Sequence, residues 1–392
     1  MELTKETVQK QLDERILPFW LSLEDKAQGG FYAKVAADLS IDKQADKSAI
    51  LMTRYLWALS AAYPVSETKG LLEAADQVYQ FIVDYLLDED QQGLFWSVTY
   101  DGQAKVTQKH IYVQSFAIYA FSEYYKVSQK ESSLKLAIDL FNLIESKAYL
   151  ADDSGYHEEF TSDWQPHSAT LMGPKGEATY YSTNALLHLL EAYTNLYQVY
   201  PDSRLSKRIT HLLALFKEYI VSEEGHCYTE FHRDWTPLNS DISYAHDIET
   251  AWLLYRSLEV LEKTNDSDYV ALVQRIVQSV LEEGLDDQGI ILDHYHSGQK
   301  SQIKQWWSLA ESVIGFYDAF SRTKEVQFKR LAQSHWEFIQ AHLMIPGQLS
   351  EWLPHVDESG QVVETKSTSL SDGWKGPYHT VRMYVEMLGR LS

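Results

Sequence analysis

The chain has 392 residues, 45% of them hydrophobic and 13% aromatic, with a formal net charge of −22. That is ample core material for one large closed architecture or for two or three smaller domains. The charge repels phosphate at long range, which argues against nucleic acids, polyanionic ligands and anionic membranes and leaves a neutral small molecule as the expected partner.

Residues 5–23 predict an amphipathic outer helix with no basic head followed by an apolar core, and no apolar run approaches the length a bilayer needs. A cytoplasmic protein is therefore expected. Next comes "DKAQGGFYAKVAAD" (25–38), an acidic turn, a glycine and a short alternating stretch, which predicts a small hairpin. "SAILMTRYLWALSAAY" (48–63) is apolar nearly all round, as in a helix buried on most sides, and "KGLLEAADQVYQFIVDYLL" (69–87) has the charged face of an outer one.

The same succession then returns. Hairpins are predicted at "DEDQQGLFWSVTYDG" (88–102), "ADDSGYHEEFTSDW" (151–164), "SEEGHCYTEFHRDW" (222–235), "LDDQGIILDHYHSG" (285–298) and "MIPGQLSEWLPHVDESG" (344–360). Buried helices follow at "HIYVQSFAIYAFSEYY" (110–125), "STNALLHLLEAYTNLY" (182–197), "AHDIETAWLLYRSLEVL" (245–261), "WWSLAESVIGFYDAF" (306–320) and "WKGPYHTVRM" (374–383). The hairpin glycines, Gly30, Gly93, Gly155, Gly225, Gly289 and Gly347, recur at roughly 60-residue intervals, room for one hairpin and two helices. The fold class expected is all-α: an (α/α)6 barrel of about twelve helices, with short β-hairpins walling one mouth. An open α-solenoid would arise from the same repeat, but the buried helices leave it no polar concave face. No linker composition interrupts the chain, so residues 1–392 are expected to form a single domain.

Every buried helix carries polar residues near its start: Arg54; His110, Tyr112 and Gln114; Asn184 and His188; His246, Asp247 and Glu249; Trp306, Trp307 and Glu311; Trp374, Lys375, Tyr378, His379 and Arg382. Burying so many without partners would cost several kcal/mol for each charged group, so they imply a polar ligand or a satisfied internal network at one end of the ring. His379 follows Pro377 in the first turn of its helix, where the dipole disfavours imidazolium and keeps the ring neutral near pH 7. His246 stands at a similar helix start, with Glu249 three residues on.

Trp96, Trp164, Trp235, Trp306, Trp307, Trp352 and Trp374 fall in hairpins or at helix starts and suggest stacking surfaces for a neutral sugar. His294 and His296 beside Asp293 lack a third ligand at familiar spacing, HExxH is absent, and "GPKGEA" (173–178) lacks the end of a phosphate loop. No metal and no cofactor are expected. Cys227 is the single cysteine and is expected to be a small packed side chain. On a sugar, a carboxylate pair such as Glu249 with Glu311 would suit hydrolysis, whereas two neutral imidazoles suit moving a proton at the carbon beside a carbonyl.

"HIYVQSFAIYAFSEYY", "STNALLHLLEAYTNLY", "SYAHDIETAWLL", "QWWSLAESVIGF" and "WKGPYHTVRM", together with "GGFYAKV" and "GLFWSVTYDG", resemble the N-acylglucosamine 2-epimerase superfamily, and within it the cellobiose 2-epimerase branch. The resemblance covers essentially the whole chain. It implies a cofactor-free (α/α)6 barrel that converts the reducing-end glucose of β-1,4 disaccharides to mannose through an enediolate. His246 and His379 would be the acid/base pair at C2, with His188 assisting ring opening and Glu249 orienting the pair or a hydroxyl. Arg54 and Asn184 would hold the C1 and C2 oxygens, and Trp306, Trp307, Trp374, Tyr112, Glu311 and Arg382 would line the substrate pocket. Gly376 and Val381, beside His379, depart from the branch's pattern. Other members of the superfamily act on free mannose, glucose, fructose or N-acetylglucosamine. A monomer or a homodimer is expected; the other class in play is an α/α-barrel glycoside hydrolase or a non-catalytic oligosaccharide-binding protein.

Overall fold

A computed structural model describes residues 2–152, 154–167, 171–172, 179–363 and 368–391, so that "GPKGEA" lies outside the described residues. In chain order the helices are α1 (Lys5–Gln11 and Leu17–Leu21, joined by the π turn Leu12–Ile16), α2 (Ala49–Ala62), α3 (Leu71–Phe81), α4 (Ile111–Ser128), α5 (Glu131–Lys147) and α6 (Thr183–Val199). They continue with α7 (Ser203–Leu215), α8 (Tyr244–Val260), α9 (Ser267–Glu283), α10 (Trp306–Thr323), α11 (Val326–Phe338) and α12 (Tyr378–Arg390). The even-numbered helices form the inner layer. Each packs against two inner neighbours, and α12 packs against α2, which closes the ring and rules out the open solenoid.

Closure explains why the inner sequences are apolar all round. Every residue of α2 is buried, because it meets α4 and α12 on its flanks and α3 behind. The outer helices keep one apolar stripe, as in α9, where Leu272, Val273, Ile276, Val277 and Val280 face inward. Three of them, α3, α7 and α11, run on into a π turn (Ile82–Leu86, Phe216–Ile220, Ile339–Leu343) before the chain straightens into its hairpin.

The hairpins are less self-contained than the sequence suggests. Single bridges close glycine turns, such as Leu87 to Leu94 or Val221 to Cys227, and short hairpins follow within some repeats, as where Lys34–Ala36 pairs with Ile41–Asp42 and Ser97–Val98 with Ala104–Val106. Other pairings join neighbouring repeats: Lys47–Ser48 with Ser97–Val98, Lys109–His110 with Glu159–Phe160, Tyr181–Ser182 with Glu230–Phe231, and Ile303–Gln305 with His355–Asp357. Lys34–Ala36 pairs with Ser369–Ser371, joining the first repeat to the last. Strands this short have too few ladder bonds to stand alone, so the collar gains stability by pairing around the ring. The six repeating glycines all hold positive φ, from 65° at Gly30 to 139° at Gly155, a conformation side chains disfavour. At Gly93 an added Cβ would also come within 2.7 Å of the Trp164 ring.

Buried ion pairs tie collar to barrel. Lys47, Lys109 and Lys304, each on the strand leading into an inner helix, bond Asp25, Asp88 and Asp286 of a hairpin turn at 2.8, 2.7 and 2.5 Å. Each aspartate also accepts two turn amides, so its lone pairs are used. Other buried polar groups do the same work: Gln114 exchanges two hydrogen bonds with the Leu94 backbone, and Asp247 accepts from the Cys227 amide and His226. Cys227 is buried, and burial raises its thiol. No helix among the described residues is long and apolar enough to cross a membrane.

Two buried histidines make this fold sensitive to acid. The His335 Nε2 accepts the Ile291 amide at 2.9 Å and its Nδ1 faces the Leu331 carbonyl at 2.8 Å, while His110 caps α4 by accepting the Tyr112 amide. Burial lowers them from 6.5 to about 4 and about 3. The unfolded chain then takes up these protons more readily, so their stabilisation is intact above pH 6.5 and is lost as the pH falls through 6.5 toward 4. For His335 the loss amounts to roughly 3 kcal/mol. Urea midpoints are expected to fall over that interval, and His335→Gln should flatten the fall; a pH-independent midpoint would contradict this account.

Candidate active site

At the collar end the inner-helix N-termini surround a cavity of about 170 Å³ lined by Arg54, Tyr112, Asn184, His188, His246, Glu249, Trp306, Trp307, Trp374 and His379. Helical spacing arranges them in two tiers. Tyr112, Asn184, His246, Trp307 and His379 lie in the first turns, and His188 and Glu249 follow four and three residues later, one turn deeper. The N-terminal ends of the inner helices favour negative charge developing at this level.

Three imidazoles share one arrangement: Nδ1 is held from behind, which leaves Nε2 for the cavity. The His379 Nδ1 lies 2.8 Å from Glu311, the His188 Nδ1 lies 2.8 Å from Glu191, and the His246 Nδ1 lies 2.7 Å from the Ser243 hydroxyl, the N-cap of α8. A carboxylate only accepts, so His379 and His188 carry hydrogen on Nδ1 and present an unprotonated Nε2 when neutral. A hydroxyl both donates and accepts, so His246 can present either form. Burial lowers both His246 and His379, the latter strongly; Arg382 and Arg54 push His379 down further while Glu249 opposes them. Trp307 fills the space between, its ring 4.8 Å from His246 and 5.7 Å from His379.

Beneath this layer Arg382, fully buried, holds three carboxylates: Glu191 at 2.6 Å, Glu311 at 2.6 Å, and Glu249. Burial alone would raise Glu191, but Arg382, His188 and Tyr378 outweigh it and bring it down to about 2. Burial keeps Glu311 raised despite Arg382. Ligand atoms of Glu249, Glu311 and His379 come within 4.8 Å of one another, a spacing that suits a metal ion, yet Arg382 already pairs with both carboxylates. On the other side Arg54 donates to the Trp374 carbonyl and the Tyr112 hydroxyl (2.9 Å), with its guanidinium 4.6 Å over Phe116.

Several sequence expectations need correction. Glu311 and Arg382, expected against the substrate, lie behind the histidines, with side chains fully buried. Trp164 and Trp235 are wedges of the collar, donating to the Gln91 and Ser154 carbonyls, and Trp352 is buried in the core. His110, Gln114, Asp247 and Lys375 serve the collar rather than the cavity; Lys375 donates to the Leu370 carbonyl. His294 and His296 bond separate aspartates, Asp293 and Asp241. Gly376 packs against Leu51 and Val381 is buried, so neither lines the cavity. Missed from the sequence were Glu191, Ser243 and Trp252, which donates to Glu311 at 3.1 Å. Glu191 stands three residues after His188, a spacing that could have found it.

Comparison with known proteins puts this barrel among the carbohydrate epimerases. The chain belongs to the N-acylglucosamine 2-epimerase (GlcNAc 2-epimerase) family, whose profile matches residues 30–382. It is 34% identical to the cellobiose 2-epimerase of Dictyoglomus turgidum over 393 residues, 100% of both chains, and 33% identical to that of Bacteroides fragilis over 99% of both. The cellobiose 2-epimerase structure from Bacillus thermoamylovorans superposes with a TM-score of 0.94 at 33% identity, covering 98% of this chain and 99% of that one.

Removing Arg382 should leave three buried carboxylates without their shared cation. Arg382→Met is expected to cost about 3–5 kcal/mol in urea unfolding at neutral pH. A loss below about 1 kcal/mol would show that the carboxylates are balanced elsewhere.

Proposed function

We propose that the chain is a cytoplasmic epimerase acting at C2 of the reducing-end glucose of β-1,4-linked disaccharides, turning cellobiose into glucosylmannose and treating lactose likewise. The observation that carries this is the set of three imidazoles with Nδ1 held from behind, converging on one aromatic-walled cavity. Full-length relatives named cellobiose 2-epimerase supply the sugar. A cavity of about 170 Å³ suits one sugar ring, and Trp374, 42% exposed at the mouth with Trp96 5.8 Å away, suits the second ring outside.

His188 moves protons between the C1 hydroxyl and the ring oxygen to open the ring. One imidazole of the His246 and His379 pair then takes the C2 proton, and the negative charge spreads over the C1 and C2 oxygens as an enediolate. Arg54 and Asn184 face that charge, assisted by the helix N-termini. The second imidazole returns a proton to the opposite face of C2, and the ring closes with C2 inverted. The imidazole that takes the C2 proton must start neutral and the one that returns a proton must start charged, the two exchanging states over the turnover; burial, which lowers both, favours the neutral form that the base needs.

Incubation with cellobiose in D₂O, followed by NMR, should reveal a mannose-type reducing end carrying deuterium at C2. Free glucose would indicate hydrolysis instead, and an unchanged sugar would overturn the assignment to cellobiose and move the test to mannose and glucose. His246→Ala and His379→Ala are expected to lose at least about 10³-fold in kcat while keeping the helical circular dichroism spectrum. Because both imidazoles are depressed, the acid limb of kcat/KM, set by the one that acts as base, should lie below pH 6.5, the ordinary histidine value. An acid limb centred above 6.5 would remove these two residues from the proton transfer.

A further inference from the structure

The barrel is also open at its opposite end. Where the C-terminal halves of α2, α4, α6 and α8 meet α12 there is a second cavity of about 220 Å³, larger than the one among the histidines. A recess of about 840 Å³ lies beside it and shares Arg256 and Glu386 with its lining. Its inner walls include Trp57, Tyr119 and Trp252, the first two stacked on each other with centroids 5.1 Å apart. Glu191, Thr194, Asn195 and Ser257 add a carboxylate, two hydroxyls and an amide. The charged groups at its rim, Glu123, Lys126, Arg256 and Glu386, cancel in sign.

Two of these wall residues are the supports of the catalytic layer. Glu191 lines this cavity and not the histidine cavity, yet it holds the His188 Nδ1 and the Tyr378 hydroxyl. Trp252 turns its indole N–H toward Glu311, which holds the His379 Nδ1. Anything seated here therefore touches both supports from behind.

We propose that this opposite mouth is a second binding site, for a neutral hexose-sized polyol, and that its occupant lowers turnover through Glu191 and Trp252. The ligand class comes from the lining. Aromatic side chains beside hydroxyl, amide and carboxylate groups suit the mixed apolar and hydroxyl surface of a sugar-like ring, and cancelling rim charges give an ion no advantage. A hydroxyl donated to Glu191 competes with His188 and Tyr378 for the same oxygens. That loosens His188 without occupying the substrate cavity, so kcat falls while KM is unchanged.

The probe is 1,5-anhydroglucitol, a neutral hexose-sized polyol with no anomeric hydroxyl, which cannot open to an aldehyde or be epimerised. Calorimetric titration of the intact chain should count two molecules per chain. Gln198→Trp, on the exposed rim, and Ala61→Leu, deeper in the wall, should each weaken one of the two sites by about tenfold or more. Neither variant touches the histidine layer, and kcat/KM for cellobiose at low sugar should stay within about twofold. In the unsubstituted chain the probe should depress kcat, and that depression should vanish in both variants while competition against substrate remains. Binding, at one site or two, that neither substitution weakens would overturn the proposal and leave the cavity as a water-filled gap. The kinetic arm and the second molecule of the count rest on the activity proposed above; the site weakened by the two substitutions does not, so a chain inactive on cellobiose would still be tested by it. Should Ala61→Leu fail to fold, the rim variant decides alone.

Discussion

The cation of Arg382, fully buried among Glu191, Glu249 and Glu311, is the interaction on which the candidate site depends. Three carboxylates in a barrel interior would repel one another and would each be costly to ionise. The guanidinium meets them from one point with planar, directional donors, which lysine could not do. Because it keeps Glu191 ionised, and because Glu311 accepts from both Arg382 and Trp252, these side chains are fixed acceptors for the Nδ1 hydrogens of His188 and His379. The tautomers at the cavity are thus set one layer below it.

The closed ring supplies the rest. Six inner helices starting at one collar bring their N-termini, capping residues and first-turn side chains to a single level. A histidine in a first turn becomes part of a pocket only because five other helices begin beside it. The collar holds those starts in register through strands paired between repeats and through buried pairs such as Lys109 with Asp88. At the other end the same helices surround a second cavity lined by Trp57, Tyr119 and Trp252, so the layer holding the histidines lies between two cavities.

Much of this was legible in the sequence because it is periodic. Repeating glycines demand positive φ, all-round apolar segments demand neighbours on every side, and polar residues at equivalent helix starts demand a common level. The odd residues Arg54, Tyr112, Asn184, His188, His246, Glu249, Trp306, Trp307, Trp374 and His379 carry a local signal, and they do line one cavity. Glu191 was legible only through its spacing three residues after His188; another partner, Arg382, stands 191 residues away and gives no local sign. The lysines before the inner helices passed unnoticed for the same reason, since a lysine at a strand end is ordinarily a solvated one.

Local pattern therefore determined what each segment is: which helices are inner and outer, where the hairpins turn, and which side chains cluster at the helix starts. Only the tertiary structure decided which of those side chains line the cavity and which stand behind it. Glu311 and Trp307 are four residues apart on one helix face, yet one lies beneath the floor and the other forms the wall, because depth along the barrel axis depends on how the neighbouring helices fill the space. Charge pairing across the ring is equally non-local. A carboxylate is read as base, ligand or strut by its partners, and those partners come from helices that only closure of the barrel brings together.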